Sequence, residues 1–112
     1  MAHKLDKNTK TIVRAIMRDQ RQRERRRNTK QYTSFDKRAD EAIKYAKRNI
    51  RLCGFEDKAR NRIIDKICQS LQDNTPWELL GETYCGRRLF YEYRNEFCYH
   101  IAIALEIAMG QN

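Results

Sequence analysis

The sequence predicts an all-α protein of about five helices in a single domain, and three observations carry that prediction. The 112 residues include one proline and four glycines, too few breakers for short strands joined by tight turns. Apolar residues recur at helical spacing along most of the chain, and no segment alternates with the period of a strand. Hydrophobic residues make up 40% and charged residues 35%, a mix suited to a modest core under a heavily solvated surface.

The elements follow in order. Leu5, Ile12 and Ile16, flanked by Val13 and Met17, give one apolar face to a helix starting near Thr9. From Arg18 to Gln31 there is no aliphatic or aromatic residue, while Arg18, Arg21, Arg23, Arg25, Arg26, Arg27 and Lys30 outnumber Asp19 and Glu24. Such a stretch has no apolar face to bury. It is expected either as a helix projecting into solvent or as a flexible segment, so residues 1–31 read as a basic N-terminal arm and 34–112 as the folded body.

Ser34 is a good N-cap for the next helix, which runs to Cys53 with Gly54 as its stop. Its stripe is Phe35, Ala39, Ala42, Ile43, Ala46, Ile50 and Cys53, and the small alanines suggest a close helix–helix approach. Lys37, Lys44, Arg48 and Arg51 lie opposite. A third helix spans about Asp57 to Asp73, with Ala59, Ile63, Ile67 and Leu71 facing inward and Ile64 and Cys68 broadening that face. Thr75-Pro76-Trp77-Glu78 has the form of a capping box with proline at the first helical position, opening a short helix. Tyr84-Cys85-Gly86 reads as a turn. The last helix starts near Arg87 and extends to Met109 before Gly110, with Leu89, Phe90, Tyr93, Phe97, His100, Ile101, Ala104 and Ala108 on one face. Ala102 and Ile103 fall on the other side, which suggests a homodimer or another partner contact.

Charge points to the class of partner. The formal net charge is +9 and the pI about 9.7, so an anion is the default partner, nucleic acid before membrane. Residues 1–51 hold 17 Lys and Arg against 6 Asp and Glu, whereas residues 52–112 hold 7 against 9. The basic character therefore belongs to the N-terminal half. The longest apolar stretch, Ile101 to Met109, is interrupted by Glu106, well short of the roughly 20 residues that span a bilayer. With no apolar leader at Met1–Asp6, a soluble protein in a bacterial cytoplasm is expected, without membrane contact.

Catalytic and metal chemistry find little support. Cys53, Cys68, Cys85 and Cys98 include no Cys-x-x-Cys pair, so zinc and a disulfide framework are both disfavoured and the thiols read as small buried or half-buried groups. His3 and His100 stand apart from any nucleophile or carboxylate pair. Neither an enzyme nor a cofactor is expected.

A short helix, a turn, and a longer helix opening on arginines is the order of a helix-turn-helix, here at about residues 76–99. Trp77, Leu80 and Tyr84 would brace Leu89, Phe90 and Tyr93. That leaves Arg87, Arg88, Tyr91 and Asn95 on the outward arc, with Arg94 at its border. Arginine pairs with guanine and asparagine with adenine in the major groove, and tyrosine or arginine can hold phosphate. The segments Trp77-Glu78-Leu79-Leu80-Gly81-Glu82 and Gly86-Arg87-Arg88-Leu89-Phe90-Tyr91-Glu92-Tyr93-Arg94 resemble the C-terminal helix-turn-helix of small phage and prophage transcriptional regulators. These are the RinA- and ArpU-like proteins, similar in turn to sigma-factor region 4. The resemblance covers about residues 75–105. Gly86 stands where that family usually has a hydroxylated cap, and Leu89 where it has threonine. It implies double-stranded DNA as partner, transcription regulation as function, and Arg87, Arg88, Tyr91 and Arg94 as DNA contacts. The arginine-rich run, Arg18 to Lys30, is expected to supply contacts to the phosphate backbone. Two alternatives stand beside this reading: contact with RNA polymerase or a host factor through the helix-turn-helix shape, and RNA binding through the arginine-rich run.

Overall fold

The computed structural model describes residues 5–52 and 54–106. Its elements are α1 (Lys7–Arg18), α2 (Gln20–Asn28), α3 (Ser34–Asn49), α4 (Asp57–Asp73), a 3₁₀ turn (Trp77–Leu79) and α5 (Arg87–Ala104). The protein is all-α, with five helices and no strand among the described residues. The central element is α5, which packs against α1, α3, α4 and the 3₁₀ turn, while α1 also packs on α4.

The Asp6 carboxylate caps α1 by accepting the Thr9 N–H at 2.7 Å. The inner face of α1 is Thr9, Val13, Ile16 and Met17. Ile12, expected on that face, is 44% exposed, because the stripe runs through positions 9, 13 and 16–17. A one-residue break at Asp19 separates α1 from α2.

The arginine-rich run departs most from expectation. It is helical and docked, and it does bury a side chain: Arg23 is 1% exposed. The charged groups of α3 take the place of an apolar face. Arg23 donates from Nε to Asp40 Oδ1 at 2.8 Å, from Nη1 to the Ile16 carbonyl at 2.6 Å and from Nη2 to Gln20 Oε1 at 2.8 Å. Arg26 forms a bidentate pair with Asp36, both bonds 2.8 Å, and also donates to Asp19. Arg27 donates to Asp40 Oδ2 at 2.7 Å, beside the Tyr32 hydroxyl, which donates to the same oxygen. With Val13, Ile16 and Met17 in the same core as α3, α4 and α5, residues 5–31 belong to the body of the protein and do not form an arm apart from it.

Asp36 serves a second purpose. The cap of α3 is Thr33, not Ser34, closed by a reciprocal capping box: Thr33 Oγ1 accepts the Asp36 N–H and Asp36 Oδ2 accepts the Thr33 N–H, each at 3.1 Å. Phe35, expected in the apolar stripe, is 57% exposed, whereas Ala39, Ala42, Ile43 and Ala46 are buried. The helix ends at Asn49, earlier than expected, because Ile50 turns extended and lets Ile50 and Leu52 enter the core from an unwound strap. The Arg51 N–H on that strap donates to the buried Glu96 carboxylate of α5 at 2.8 Å. Cys53 lies outside the described residues.

Helix α4 has the expected bounds, with Ile63, Ile64, Ile67 and Leu71 buried, and Asn74 ends it in the left-handed conformation. Thr75–Glu78 does not form the expected capping box. Pro76 stands at the cap of a single 3₁₀ turn with no side-chain hydrogen bond, since only Leu80 behind it is apolar and buried. Helix α5 ends at Ala104, earlier than expected: Leu105 caps it and Glu106 takes a left-handed φ of 60° that breaks the helical path. Met109 and Gly110, expected at its end, lie outside the described residues. Ala102 is fully buried and Ile103 half-buried, so this chain itself covers the face once expected to be open for self-association.

The Arg–Asp cluster makes stability depend on acid pH. The Arg26 hydrogen bonds, then the Thr33 backbone bond, hold the Asp36 carboxyl well below its ordinary value of 3.8. Burial works to raise Asp40, but the bonds from Tyr32 and Arg23 outweigh it and hold that carboxyl below 3.8 as well. Carboxyls depressed in the folded state add stability above their unfolded pKa and lose it as pH falls through the folded value. The melting temperature is therefore expected to hold steady from pH 7 to about 5 and to fall below about 4. Asp36→Asn should flatten that decline; an equally steep decline in the variant would assign it to other groups.

Candidate nucleic-acid interface

The turn before α5 is held by polar contacts more than by the apolar brace expected there. The Trp77 indole Nε1–H donates to Thr83 Oγ1 at 2.9 Å, and the Thr83 hydroxyl donates to the Cys85 carbonyl at 2.8 Å. The Trp77 backbone N–H donates to the Tyr91 hydroxyl at 3.1 Å. Leu80 and Phe90 are buried as expected, but Tyr84 is 44% and Leu89 41% exposed. The scaffold before the turn is thus a three-residue 3₁₀ turn, not a full helix, while α5 does open at Arg87 behind Gly86.

The five residues expected to face DNA divide into two groups. Arg87 and Arg88 stand exposed in the first turn of α5. Arg87 Nε lies 3.1 Å from Glu78 and Arg88 Nε 3.4 Å from Glu92, so each cation already has an acidic neighbour. Tyr91, Arg94 and Asn95 are half-buried instead of outward. A single helical wheel anticipates one covering neighbour, but α5 is flanked on several sides, and its exposed residues are confined to Arg87, Arg88, Leu89 and Glu92 near its start. The Tyr91 ring lies between two guanidinium groups, 5.3 Å from that of Arg87 and 4.6 Å from that of Arg94. Arg94 donates from Nη1 to Ser70 Oγ at 3.0 Å, and burial, with Arg14 nearby, pushes its pKa down.

The seven cations expected to hold phosphate divide as well. Arg18, Arg25 and Lys30 are exposed, and no carboxylate lies within 4 Å of them among the described residues. Arg21 is exposed and 3.2 Å from Asp73. Arg23 is a correction: it is buried and out of reach of any phosphate. Arg26 and Arg27 are engaged with Asp36, Asp19 and Asp40. The arginine-rich run is therefore helical and docked, structural at Arg23, Arg26 and Arg27, while Arg18, Arg21, Arg25 and Lys30 still face solvent.

The outer face of α3 carries a basic surface that the site residues read from sequence did not include. Lys37, Arg38, Lys44 and Arg48 are exposed. Arg38, Lys44 and Arg48 line a shallow groove of about 630 Å³ with Glu41, Tyr45 and Ala104 of α5. A groove of cations with an aromatic wall suits a phosphate backbone. Its signal in the sequence was Lys37, Lys44 and Arg48 opposite the alanine stripe, visible there only as a solvated face; Arg38, at the flank of that row, was not part of it.

The described thiols are held in their neutral form. Burial pushes Cys68 and Cys98 each up to about 11, and burial also raises Cys85. No group of three metal-ligating side chains occurs among the described residues. None of their helices is long and apolar enough to cross a membrane. No protein-family model matches the chain, and neither a curated protein nor a solved structure matches it.

Proposed function

We propose that this chain binds double-stranded DNA, as a small helical regulator of transcription of the phage and prophage kind. The observation that supports the reading best is the basic outer face of α3. After Arg23, Arg26 and Arg27 are committed to Asp36 and Asp40, Lys37 still faces solvent and Arg38, Lys44 and Arg48 line a groove. Cations arranged this way release counterions on meeting a phosphate backbone and supply affinity without base readout. The first turn of α5 then supplies what sequence preference there is, through Arg87 and Arg88, which exchange Glu78 and Glu92 for a groove edge.

Binding of the full chain to duplex fragments of its own genomic neighbourhood at about 50 and 200 mM salt tests the reading. One fragment should survive the higher salt. Arg87→Ala with Arg88→Ala should then weaken binding to that fragment by roughly 1–3 kcal/mol per lost base contact while leaving binding to random duplex unchanged. Equal retention of every fragment, or none at low salt, would sink it.

One observation favours a second reading, contact with RNA polymerase or a host protein. Leu79 is 73%, Tyr84 44% and Leu89 41% exposed, all at the corner where the 3₁₀ turn meets α5, among Arg87, Glu78 and Glu82. Apolar side chains rimmed by mixed charge suit a protein surface better than a phosphate backbone. On that reading Leu79→Ser with Leu89→Ser would abolish partner capture and leave DNA binding intact.

A further inference from the structure

Between α1 and α5 lies a cleft of about 130 Å³ that draws cations from two helices and has no acidic wall. Lys10 and Arg14, one turn apart on α1, form one side; Tyr91, Arg94 and Asn95 of α5 form the other. Among the described residues no carboxylate lies within 4 Å of any of the three cations, in contrast to Arg23, Arg26 and Arg27. The Arg94 guanidinium is half-buried, rests over the Tyr91 ring, and donates to the neutral Ser70 hydroxyl. Ser70 is itself 1% exposed and fixed by its bond to the Thr75 carbonyl at 2.9 Å. Arg94 is therefore held in one place, with other N–H donors left for a ligand.

A partly desolvated cation without a counter-charge is costly to maintain, and two further cations nearby raise that cost. A protein under no other demand would be more stable with a neutral side chain there. The arrangement is instead what an oxyanion site requires: a fixed planar fork and two exposed charges facing it, with Tyr91, Asn95, Leu71 and Cys98 lining the rest of the cleft. The cleft has room for a phosphate group.

We propose that Lys10, Arg14 and Arg94 form a binding site for one phosphate group. A backbone phosphodiester of DNA is one source, which would deepen the DNA reading above; a free phosphate or phosphomonoester is the other, and as an oxyanion site the cleft stands without that reading. Lys10 and Arg14 close over the anion from the exposed side of α1, and Arg94 meets it from below in a bidentate pair. The ligand supplies the counter-charge this half-buried cation lacks.

The test uses the full chain and inorganic phosphate as probe. The melting temperature of the wild type should rise by several degrees in phosphate over chloride at equal ionic strength. Lys10→Gln with Arg14→Gln changes exposed positions and should melt no lower than the wild type in chloride, since like charge beside Arg94 is relieved, yet lose that rise. Lys58→Gln with Arg62→Gln, the same charge removed from α4, should keep it. Titration with duplex DNA then separates the two sources. If the double variant at positions 10 and 14 lowers the slope of log affinity against log salt by about one, the phosphate belongs to the backbone. If the phosphate response is lost but the slope is unchanged, the site takes a free phosphate or phosphomonoester, and the DNA reading stands or falls on its own fragments. Wild-type protein that shows no phosphate-specific rise, or a double variant at 10 and 14 that keeps it, overturns the site whether or not DNA binds.

Discussion

Replacing Asp40 with alanine is expected to destabilise the protein by about 3 kcal/mol, seen as a lower urea midpoint at unchanged slope. Asp40 is the principal counter-charge of Arg23, at 2.8 Å, and Arg23 is 1% exposed. Without it, a guanidinium remains inside the protein with the Ile16 carbonyl, Gln20, and Asp19 at 3.7 Å. Those residual partners place the loss at the lower end of what removing one half of a buried pair costs. Arg23→Met with Asp40→Leu should recover most of it, because a well-packed apolar pair avoids desolvating either charge. A loss in Asp40→Ala below about 1 kcal/mol would mean that α2 is anchored by something other than this cluster.

The second large effect separates the two kinds of cation. Lys37→Gln, Lys44→Gln and Arg48→Gln together should reduce the slope of log DNA affinity against log salt by about three, with little change in melting temperature, since all three are exposed. Arg26→Gln with Arg27→Gln should do the reverse. Those side chains hold Asp36 and Asp40, so melting falls and the salt slope stays. If instead the pair at 26 and 27 lowers the slope and the α3 set leaves it intact, the phosphate contacts lie on α2 and the assignment of α3 is wrong.

The sequence was legible where burial is apolar and periodic. Helix α4 has the bounds its isoleucines and leucine predict, and α5 begins at the arginine that follows Gly86. It was not legible where burial is ionic. Arg23 and Arg27, one turn apart on α2, converge on Asp40 of α3, and Arg26 between them meets Asp36, but each row read alone is a solvated face. Only the packing of the two helices reveals that they meet. Thr75–Glu78 shows the opposite limit: a local helix-start signal without a following apolar face to bury yields only one 3₁₀ turn. The candidate site was half legible. Arg87 and Arg88 could be placed outward from their position at the start of α5, whereas Tyr91, Arg94 and Asn95 depend on how many neighbours surround that helix. Lys10 and Arg14 border the apolar face of α1, and nothing in their own helix shows that Arg94 waits across the cleft.

The docking of α2 also bears on how binding can be divided along the chain. Cutting the protein before Ser34 would not subtract a basic tail from an intact reader. It would strip Val13, Ile16 and Met17 from the core, leave Asp36 and Asp40 without their arginines, and remove one wall of the cleft beside Arg94. An N-terminal half that looks like a detachable adaptor is thus part of the scaffold, so a graft of α5 alone onto another protein would leave behind the contacts that shape its surroundings.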